Sequence, residues 1–503
     1  MFVLICLLVS ILFVPLAHSQ NADLYYQQGM DFAKLQRWEE AKKAFISGLH
    51  QSPNDKRFPT ELAGIAFRQH QNALAKSYLH RALKLDRNDN YVLEFLGTIY
   101  LLDGNLQAAL LHWNKIGRPQ IENIKISGNL KINASLLDHA FVFSPLSLLK
   151  RSDLEETMAR LQLLEIFPRC SFELSPRSDE KFDLLFHALE RNGAGDTTLG
   201  AVLSFFRGLP YLTIYPEFYN LRNQAINFNS LLRWDSDKRR IFLSLSGPIA
   251  SDPKYRIRLD LDGRNEDWRI PSVRQNFRLK QAEASFGVDA ILNAQWKVTN
   301  SIAFSDSTLD ADLFNEGRAA DYKIQLVHHY GFPEQKIELR SFAGATVGRL
   351  FHHSSDVFSQ IEAGSELKLS VMRASFRFGK SLGTIPFTHE YILGVDQDND
   401  LWLRAHNGLR KNKGVLPMGR DFVLINWEAD KQIYRHPFFQ VKVGPFIDSG
   451  RTYDTSPLLG SHQWLFDAGF QTKVRVLNSI TTVLVVGRDI RSRTNTFYLN
   501  IEK

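Results

Sequence analysis

Apolar and polar residues alternate with a period of two along much of the C-terminal part of the chain. In residues 255–261 every odd position is apolar and every even position is Arg or Asp. Successive side chains of a strand point to opposite faces, so this pattern predicts strands with one apolar and one polar face. The same alternation recurs in residues 322–326, 367–371 and 439–443.

The extent of this alternation indicates the architecture. It begins after the linker at residues 192–196 and continues from residue 195 to residue 503 without a segment that predicts a helix. A transmembrane strand needs about 9–11 residues, so with turns and loops this segment holds about 16 strands. We therefore predict a C-terminal antiparallel transmembrane β-barrel over residues 195–503, with a polar interior that is water-filled or plugged.

A different period occupies residues 20–117, where small and large apolar residues recur every 34 residues. The pattern resembles tetratricopeptide repeats, in which small residues lie where paired helices touch. Three stacked helix pairs bury a core that one pair cannot, so we predict an α-helical solenoid. The solenoid either binds a peptide or partner protein in its groove, or it acts as a spacer that stiffens the N-terminal arm. The recurring positions are Tyr25, Gly29, Phe32, Ala41 and Phe45 in the first copy and Gly97, Tyr100, Ala109 and Trp113 in the third.

Residues 119–191 predict a small α+β domain between the solenoid and the barrel. The expected order is a strand, two helices and two strands, at residues 121–127, 134–141, from Ser152 to Pro168, 170–174 and 182–189. This order and the motif IKISGN at residues 124–129 resemble a POTRA (polypeptide-transport-associated) domain. Such domains can add a client strand to an exposed sheet edge. The alternative is an unrelated α+β domain.

The strand at residues 439–450 carries the most specific motif of the barrel. Its sequence FQVKVGPFIDSG is similar to the late barrel strand of Omp85 proteins (bacterial surface antigen D15-type barrels), which ends in F-x-D-x-G. The matching residues are Phe446, Asp448 and Gly450. With the POTRA-like segment, the resemblance to the Omp85 superfamily covers residues 119–503.

A second resemblance concerns a loop arginine. Residues 400–406 resemble the arginine-containing element of the sixth outer loop of Omp85 proteins, which folds into the barrel lumen. The resemblance implies that Arg404 pairs with Asp448 there, as a guanidinium fork can bind a carboxylate through two hydrogen bonds. Ala405 stands where the family has Gly, and Arg410 is the alternative loop arginine. The pair can also be two ordinary lumen charges.

Residues 1–19 read as a secretory signal peptide, with an apolar run and the small-residue pattern Ala17-His18-Ser19 before Gln20. The run is too short for a comfortable membrane span of about 20 residues. The segment before it lacks Lys and Arg, so an uncleaved anchor is the alternative. A secreted chain with a barrel predicts the outer membrane of a Gram-negative-type bacterium, with the N-terminal domains in the periplasm.

Composition and motifs limit the possible functions. Aromatic residues make up 12% of the 503 residues, which suits the aromatic girdles of membrane barrels. The net charge of +7 is spread along the chain rather than gathered in a basic stripe, which argues against nucleic-acid binding. Cys170 stands alone once Cys6 is removed with the signal peptide, so neither a disulfide nor a cysteine metal cluster is expected.

No catalytic motif is present in the sequence. We find no G-x-S-x-G, no H-E-x-x-H and no phosphate-binding glycine loop. The adjacent histidines at 328–329 and 352–353 cannot jointly bind a metal on a strand, because neighbouring side chains point to opposite faces. We therefore expect no enzymatic activity, no cofactor and no metal.

The resemblance implies a factor for outer-membrane protein assembly, insertion or translocation. Its periplasmic domains would capture unfolded or extended client proteins and deliver them to the barrel. Outer-membrane lipid and a periplasmic accessory protein are the other expected partners. Two alternatives remain from other classes. One is a passive outer-membrane channel, and the other is a surface or structural protein that binds a partner through the helical arm.

Overall fold

The computed structural model describes residues 21–270, 276–310, 314–351, 355–396, 398–409, 416–436, 438–456, 459–476 and 480–502. The expected signal peptide, the histidines at 352–353 and Arg410 lie outside these residues. The chain divides into two compact units. The first comprises Met1–Lys125, Phe143–Arg151 and Phe172–Leu185, and the second comprises Ile126–Val142, Ser152–Ser171 and Phe186–Lys503.

The first unit begins with six helices in antiparallel pairs. Small residues let aromatic rings pack between them. A Cβ atom on Gly29 would lie 2.3 Å from the Phe45 ring, and one on Gly97 would lie 2.3 Å from the Trp113 ring. Both aromatic side chains are buried as a result. The helices are α1 (residues 21–34), α2 (Trp38–Gln51), α3 (Arg57–Arg68), α4 (Asn72–Leu85), α5 (Asn90–Leu102) and α6 (Leu106–Trp113).

The other predicted repeat positions lie in the same interior. Ala41, Ala109 and Tyr100 are buried. Tyr25 and Phe32 are partly buried against the cluster that contains Phe45. The period of 34 residues therefore marks positions that pack between helices, as expected for stacked helix pairs.

A mixed α+β segment follows the helices. Its sheet has the order β1-β3-β2, so β3 is central and β1 and β2 are edges. The element order agrees with the order predicted from the sequence. Cys170 lies on β2, and burial raises the pKa of its thiol to about 11, which keeps it protonated at neutral pH. The elements are β1 (Ile121–Ser127), α7 (Ala134–Ala140), α8 (Arg151–Leu163), β2 (Arg169–Pro176) and β3 (Phe182–Leu189).

Within the first unit, the last helix packs directly against parts of this α+β segment. The Asn114 side chain donates a hydrogen bond to the Leu149 carbonyl (2.8 Å) and accepts one from the Arg151 backbone N–H (2.8 Å). The Trp113 and Phe182 rings lie 5.5 Å apart, centroid to centroid. The helices are therefore fixed to this part of the α+β segment by both polar and apolar contacts.

The second unit contains a closed barrel in which neighbouring segments pair in sequence order for most of the circuit. Among the described residues it has 17 strand segments. Of these, β4 and β5 follow one another along β6. Its strands are β4 (Thr213–Ile214), β5 (Glu217–Leu221), β6 (Ile226–Trp234), β7 (Lys238–Ile249), β8 (Asp252–Arg269), β9 (Asn276–Ile291), β10 (Trp296–Leu309), β11 (Gly317–Phe332), β12 (Ile337–Phe351), β13 (Ser355–Lys368), β14 (Met372–Gly383), β17 (Asp421–Ala429), β18 (Lys431–Arg435), β19 (Phe439–Tyr453), β20 (Leu465–Val476), β21 (Ile480–Asp489) and β22 (Asn495–Glu502), while β15 (Tyr391–Ile392) and β16 (Met418–Gly419) form a separate pair.

The alternation seen in the sequence separates the two faces of the barrel wall. On β8, Ile257 and Leu259 are 39% and 49% exposed on the outer face, whereas Arg256 is 2% exposed. The same strand pairs antiparallel with β7 and β9 along most of its length. The apolar face of the wall is therefore the outer one, and the polar face lines the lumen.

One expectation about this region is wrong. The alternating segment contains a helix, α9 (Thr198–Phe206), where the sequence was expected to hold strands only. The Thr197 side chain accepts a hydrogen bond from the Gly200 N–H and caps the helix. A short apolar run cannot be assigned to helix or strand by periodicity alone, which is why this helix was missed. No helix in the described part of the chain is both long and apolar enough to cross a membrane.

Still within the second unit, the end of α8 is held by the barrel wall. The buried Arg256 guanidinium donates to the Leu163 and Leu164 carbonyls at 3.1 and 3.0 Å. The Asn227 side chain adds a hydrogen bond of 3.1 Å to the Leu164 carbonyl. The last carbonyls of a helix have no partner within the helix, so these strand side chains supply the missing donors.

Replacing Arg256 by Met should therefore loosen the end of α8. Two buried carbonyls would lose a donor, at a cost of about 1–3 kcal/mol. We expect faster amide hydrogen exchange in α8, measured by mass spectrometry. Arg258→Met is the control, because Arg258 lies two residues further along β8 with a 39% exposed side chain. Equal exchange in the two variants would contradict this assignment.

Candidate functional site

The described residues between β14 and β17 (384–396, 398–409 and 416–420), here called the inner loop, fold back on one another. The Val395 N–H donates to the His406 carbonyl and the Gly408 N–H donates to the Val395 carbonyl, both at 2.8 Å. Gly394 has φ +134°, and a Cβ there would lie 2.6 Å from the Leu416 side chain. Glycine is required at this position because both the backbone conformation and the space exclude a side chain.

Arg404 of the inner loop binds Asp448 of β19 through three hydrogen bonds. Its Nε and Nη2 atoms donate to Oδ2 and Oδ1 at 2.8 and 2.6 Å, and its backbone N–H donates to Oδ2 at 3.0 Å. Asp448 is fully buried and Arg404 is 5% exposed. The contact has the paired geometry in which a planar guanidinium binds a carboxylate most strongly.

Further groups complete the surroundings of the Arg404 guanidinium. Its Nη1 atom donates to Glu428 (2.7 Å) and to the Gln471 side chain (3.0 Å). The guanidinium carbon lies 4.2 Å from the centroid of the Phe446 ring. Strands β17, β19 and β20 therefore all contribute to one binding site for a single loop side chain.

The two other motif residues on β19 create the space for this contact. The Phe446 ring covers Gly469 and Gly487, because Cβ atoms there would lie 2.7 and 3.3 Å from its ring. A Cβ on Gly450 would lie 3.1 Å from the Leu393 side chain of the inner loop. Phe446 and Gly450 thus act as packing residues, whereas Asp448 supplies the charge.

Ala405, which replaces the glycine of the family pattern, fits without strain at the described contacts. Its N–H donates to Asp467 (2.7 Å) and its carbonyl accepts from the Thr496 hydroxyl (2.8 Å). Its Cβ lies 3.3 Å from the position that a Cβ on Gly487 would occupy. The glycine opposite therefore provides the room that the loop alanine needs.

A second set of loop contacts was missed in the sequence. Asp396, Asp398 and Asp400 alternate along the inner loop, and together they bind four cationic side chains of the wall. Asp398 accepts from Arg233 at 2.7 and 3.0 Å. The other contacts are Asp396 with Lys238, Asp398 with Arg240 at 2.6 Å and Asp400 with Arg377 at 2.9 Å. The D-x-D-x-D spacing could have identified these aspartates in the sequence. Their cationic partners could not be identified in this way, because they depend on how the barrel closes.

These anchors lie on both sides of the position where the barrel closes. Arg233 and Lys238 belong to β6 and β7, whereas Asp467 and Thr496 belong to β20 and β22. In the strand order, β22 is followed by β4, β5, β6 and β7. The inner loop is therefore bonded, from inside the lumen, to strands on both sides of the position where the barrel closes.

Two further features define the lumen. A cavity of about 500 Å³ lies beside Arg404, with Glu428, Lys473 and Tyr498 among its lining residues. At the end of the barrel where β8 finishes, an apolar group that we call the end cluster packs around Phe387 of the inner loop. The end cluster comprises Trp268, Ile270, Phe277, Leu279, Leu309, Phe387, Met418 and Leu459.

The remaining candidate residues have simpler positions. His328 and His329 are neighbours on β11, and Arg410 lies outside the described residues. In the part of the chain that the structure describes, no group of three or more His, Cys, Asp or Glu side chains is arranged to hold a metal ion.

The barrel and its inward-folded loop define the class of fold, a closed antiparallel barrel preceded by an α+β segment. CdiB from Escherichia coli aligns with a TM-score of 0.52 at 12% identity, covering 76% of this chain and 75% of that chain. CdiB from Acinetobacter baumannii aligns at 0.45 and 14% identity, covering 84% and 81%. BamA from Haemophilus ducreyi lacking POTRA domains 1–3 aligns at 0.43 and 12%, covering 76% and 84%.

At these identities the comparison with CdiB from Escherichia coli shows a shared fold. No family model and no curated protein matches the sequence.

Proposed function

We propose that this chain is an outer-membrane protein of the Omp85 superfamily that assembles or translocates other proteins. The observation that carries the proposal is the binding of Arg404 to Asp448 inside a barrel of the CdiB fold. These are the two residues that the sequence resemblance to Omp85 proteins pairs. The exposed apolar outer face of the wall supports a membrane location.

Several features favour a protein-handling role over a passive channel. The inner loop is bound to the lumen face of the wall by Arg404 and by three aspartates. The end cluster adds apolar contacts between Phe387 of the same loop and residues of the wall. An open pore for small solutes would gain nothing from a loop held to its wall by this number of ion pairs.

The N-terminal segments supply surfaces suited to extended clients. We propose that residues 20–117 act as a tetratricopeptide arm and residues 119–191 as a POTRA domain, both in the periplasm. Strands β1 and β2 are the two edges of their sheet, and an exposed edge can pair with an added strand. The barrel then inserts the captured client into the membrane or passes it across.

Depletion of the protein in its own cells tests the proposal. We expect unfolded outer-membrane proteins to accumulate, or one secreted protein to be trapped inside, as measured by quantitative proteomics of cell fractions. Unchanged protein fractions combined with slower uptake of small solutes would instead establish the passive channel.

Site-specific crosslinking identifies the surface that captures the client. A photo-crosslinking amino acid at Ser171 on the edge strand β2 should capture client chains in living cells. The control is the same group at Ser152, an exposed position on α8 that lies outside both the helical arm and the sheet. Equal capture at both positions would show non-specific contact and contradict strand addition at the β2 edge.

A further inference from the structure

The barrel wall next to β4 and β5 contains a helix where a strand would normally pair. The Thr213 and Tyr215 N–H groups donate to the carbonyls of Gly208 and Phe205, each at 3.0 Å. Gly193 and Tyr219 exchange backbone hydrogen bonds of 3.0 and 2.7 Å. Backbone N–H and C=O groups of a strand lie in the plane of the sheet. The segment that contains α9 therefore lies in the wall, beside β4 and β5.

The same segment also contacts the last strand. The Tyr211 hydroxyl, just after α9, donates a hydrogen bond to the Leu499 carbonyl of β22. Strand β4, the neighbour of β22 in the closed order, contains only two residues. The segment from Gly193 to Tyr211 is thus bonded to the strands on both sides of the closure.

One face of α9 points into the lumen. Ser204 donates to Glu217 at 3.1 Å, and Arg207, which follows the helix, donates to the same carboxylate at 2.8 Å. The Glu217 side chain is 8% exposed, whereas the next residue, Phe218, is 44% exposed. Since neighbouring strand residues point to opposite faces, Glu217 faces the lumen and Phe218 faces outward.

The opposite face of α9 is apolar and exposed. Leu199, Val202 and Phe206 are 57%, 49% and 47% exposed. Their spacing of three and four residues places them on one side of the helix, roughly opposite Ser204. Residues 197–206 contain no Asp, Glu, Lys or Arg.

This apolar face continues the outer surface of the flanking strands. Phe218 on β5 and Phe497 on β22, which is 71% exposed, point outward on either side of it. We propose that α9 is a helical part of the barrel wall and that Leu199, Val202 and Phe206 contact the acyl chains of the membrane. The inference rests on the proposed membrane location of the barrel.

A helix can take this place because it satisfies its own backbone groups in lipid, as an isolated strand cannot. The segment that contains it also supplies carbonyl partners for the Thr213 and Tyr215 N–H groups. Strand β4 contains only two residues, and the segment from Gly193 to Tyr211 adds contacts with β5 and β22 on either side of it.

Fluorescence quenching by brominated lipid tests the inference. Single cysteines replace Val202, Ser204 or Phe497 in the full chain with Cys6→Ser and Cys170→Ser, and each carries a bimane label. The proteins are reconstituted in phosphatidylcholine vesicles with or without bromine on the acyl chains. We expect quenching at Val202→Cys to match that at Phe497→Cys, and quenching at Ser204→Cys to be much weaker.

The outcomes separate this inference from the proposed function. Quenching at Phe497→Cys without quenching at Val202→Cys would place the barrel in the membrane and overturn the lipid contact of α9. No quenching at Phe497→Cys would overturn both. Equal quenching at Val202→Cys and Ser204→Cys would overturn the sidedness of the helix. Leu199→Cys provides a second outward position if Val202→Cys does not reach the folded, heat-modifiable form.

Discussion

Replacing Asp448 by Ala is expected to lower the free energy of unfolding by about 3–5 kcal/mol, because the substitution leaves a buried guanidinium without its main partner. Arg404 is 5% exposed and makes three of its hydrogen bonds to this carboxylate. The inner loop should also become accessible to protease. Urea unfolding in vesicles and limited proteolysis measure the two effects.

A pair on the same barrel provides the matched control. Arg318 and Asp306 approach to 3.4 Å, but their side chains are 78% and 55% exposed. Exposed pairs contribute about 0–1 kcal/mol, so Asp306→Ala should change little. If Asp448→Ala lowered the free energy of unfolding as little as Asp306→Ala does, the buried pair would not hold the inner loop.

The other contacts of Arg404 determine which mutations can test its pairing with Asp448. Exchanging the charges, with Arg404→Asp and Asp448→Arg, would place the new aspartate against Glu428, which now binds Arg404 at 2.7 Å. Like charges at this distance repel, so failure to rescue would not exclude the pairing. A double-mutant cycle with Arg404→Met and Asp448→Asn measures the coupling directly.

The local sequence was sufficient to predict part of the site around Arg404 and Asp448. Phe446, Asp448 and Gly450 lie two residues apart on one strand, so their common face followed from the period of two alone. The contacts of Arg404 with Glu428 and Gln471 did not follow. They require the register of β17 and β20 against β19, which is a property of strand pairing across the sheet rather than of any one segment.

The helical arm and α9 differ in how much their sequence patterns predict, because one pattern is repeated and the other occurs once. Gly29 and Gly97 recur at a multiple of the same period and each faces an aromatic ring, so the repeat itself revealed the packing. The nine residues of α9 occur once and are nearly all apolar or small. The Phe205 carbonyl of α9 accepts a hydrogen bond from the Tyr215 N–H, a contact with another segment that the residue pattern of α9 does not contain.

Replacing Phe387 by Ala is expected to open the barrel to ions. Its ring contacts Trp268, Phe277 and Phe314, with centroid distances of 5.3, 5.4 and 4.9 Å. Removing it should cost about 3–5 kcal/mol of stability, because the end cluster would be left with a cavity. We expect larger and more frequent conductance steps in planar bilayers than for the unmodified protein.

Phe304→Ala is the control for this experiment, because Phe304 is a phenylalanine on the outer face of β10 with 63% exposure. Its removal takes away no contact with the inner loop, so its conductance should equal that of the unmodified protein. Equal conductance in Phe387→Ala would mean that the lumen is closed elsewhere, and the aspartates that bind the inner loop to the wall would become the next candidates. A large conductance already present in the unmodified protein would instead favour the passive channel, since the end cluster would then leave the lumen open.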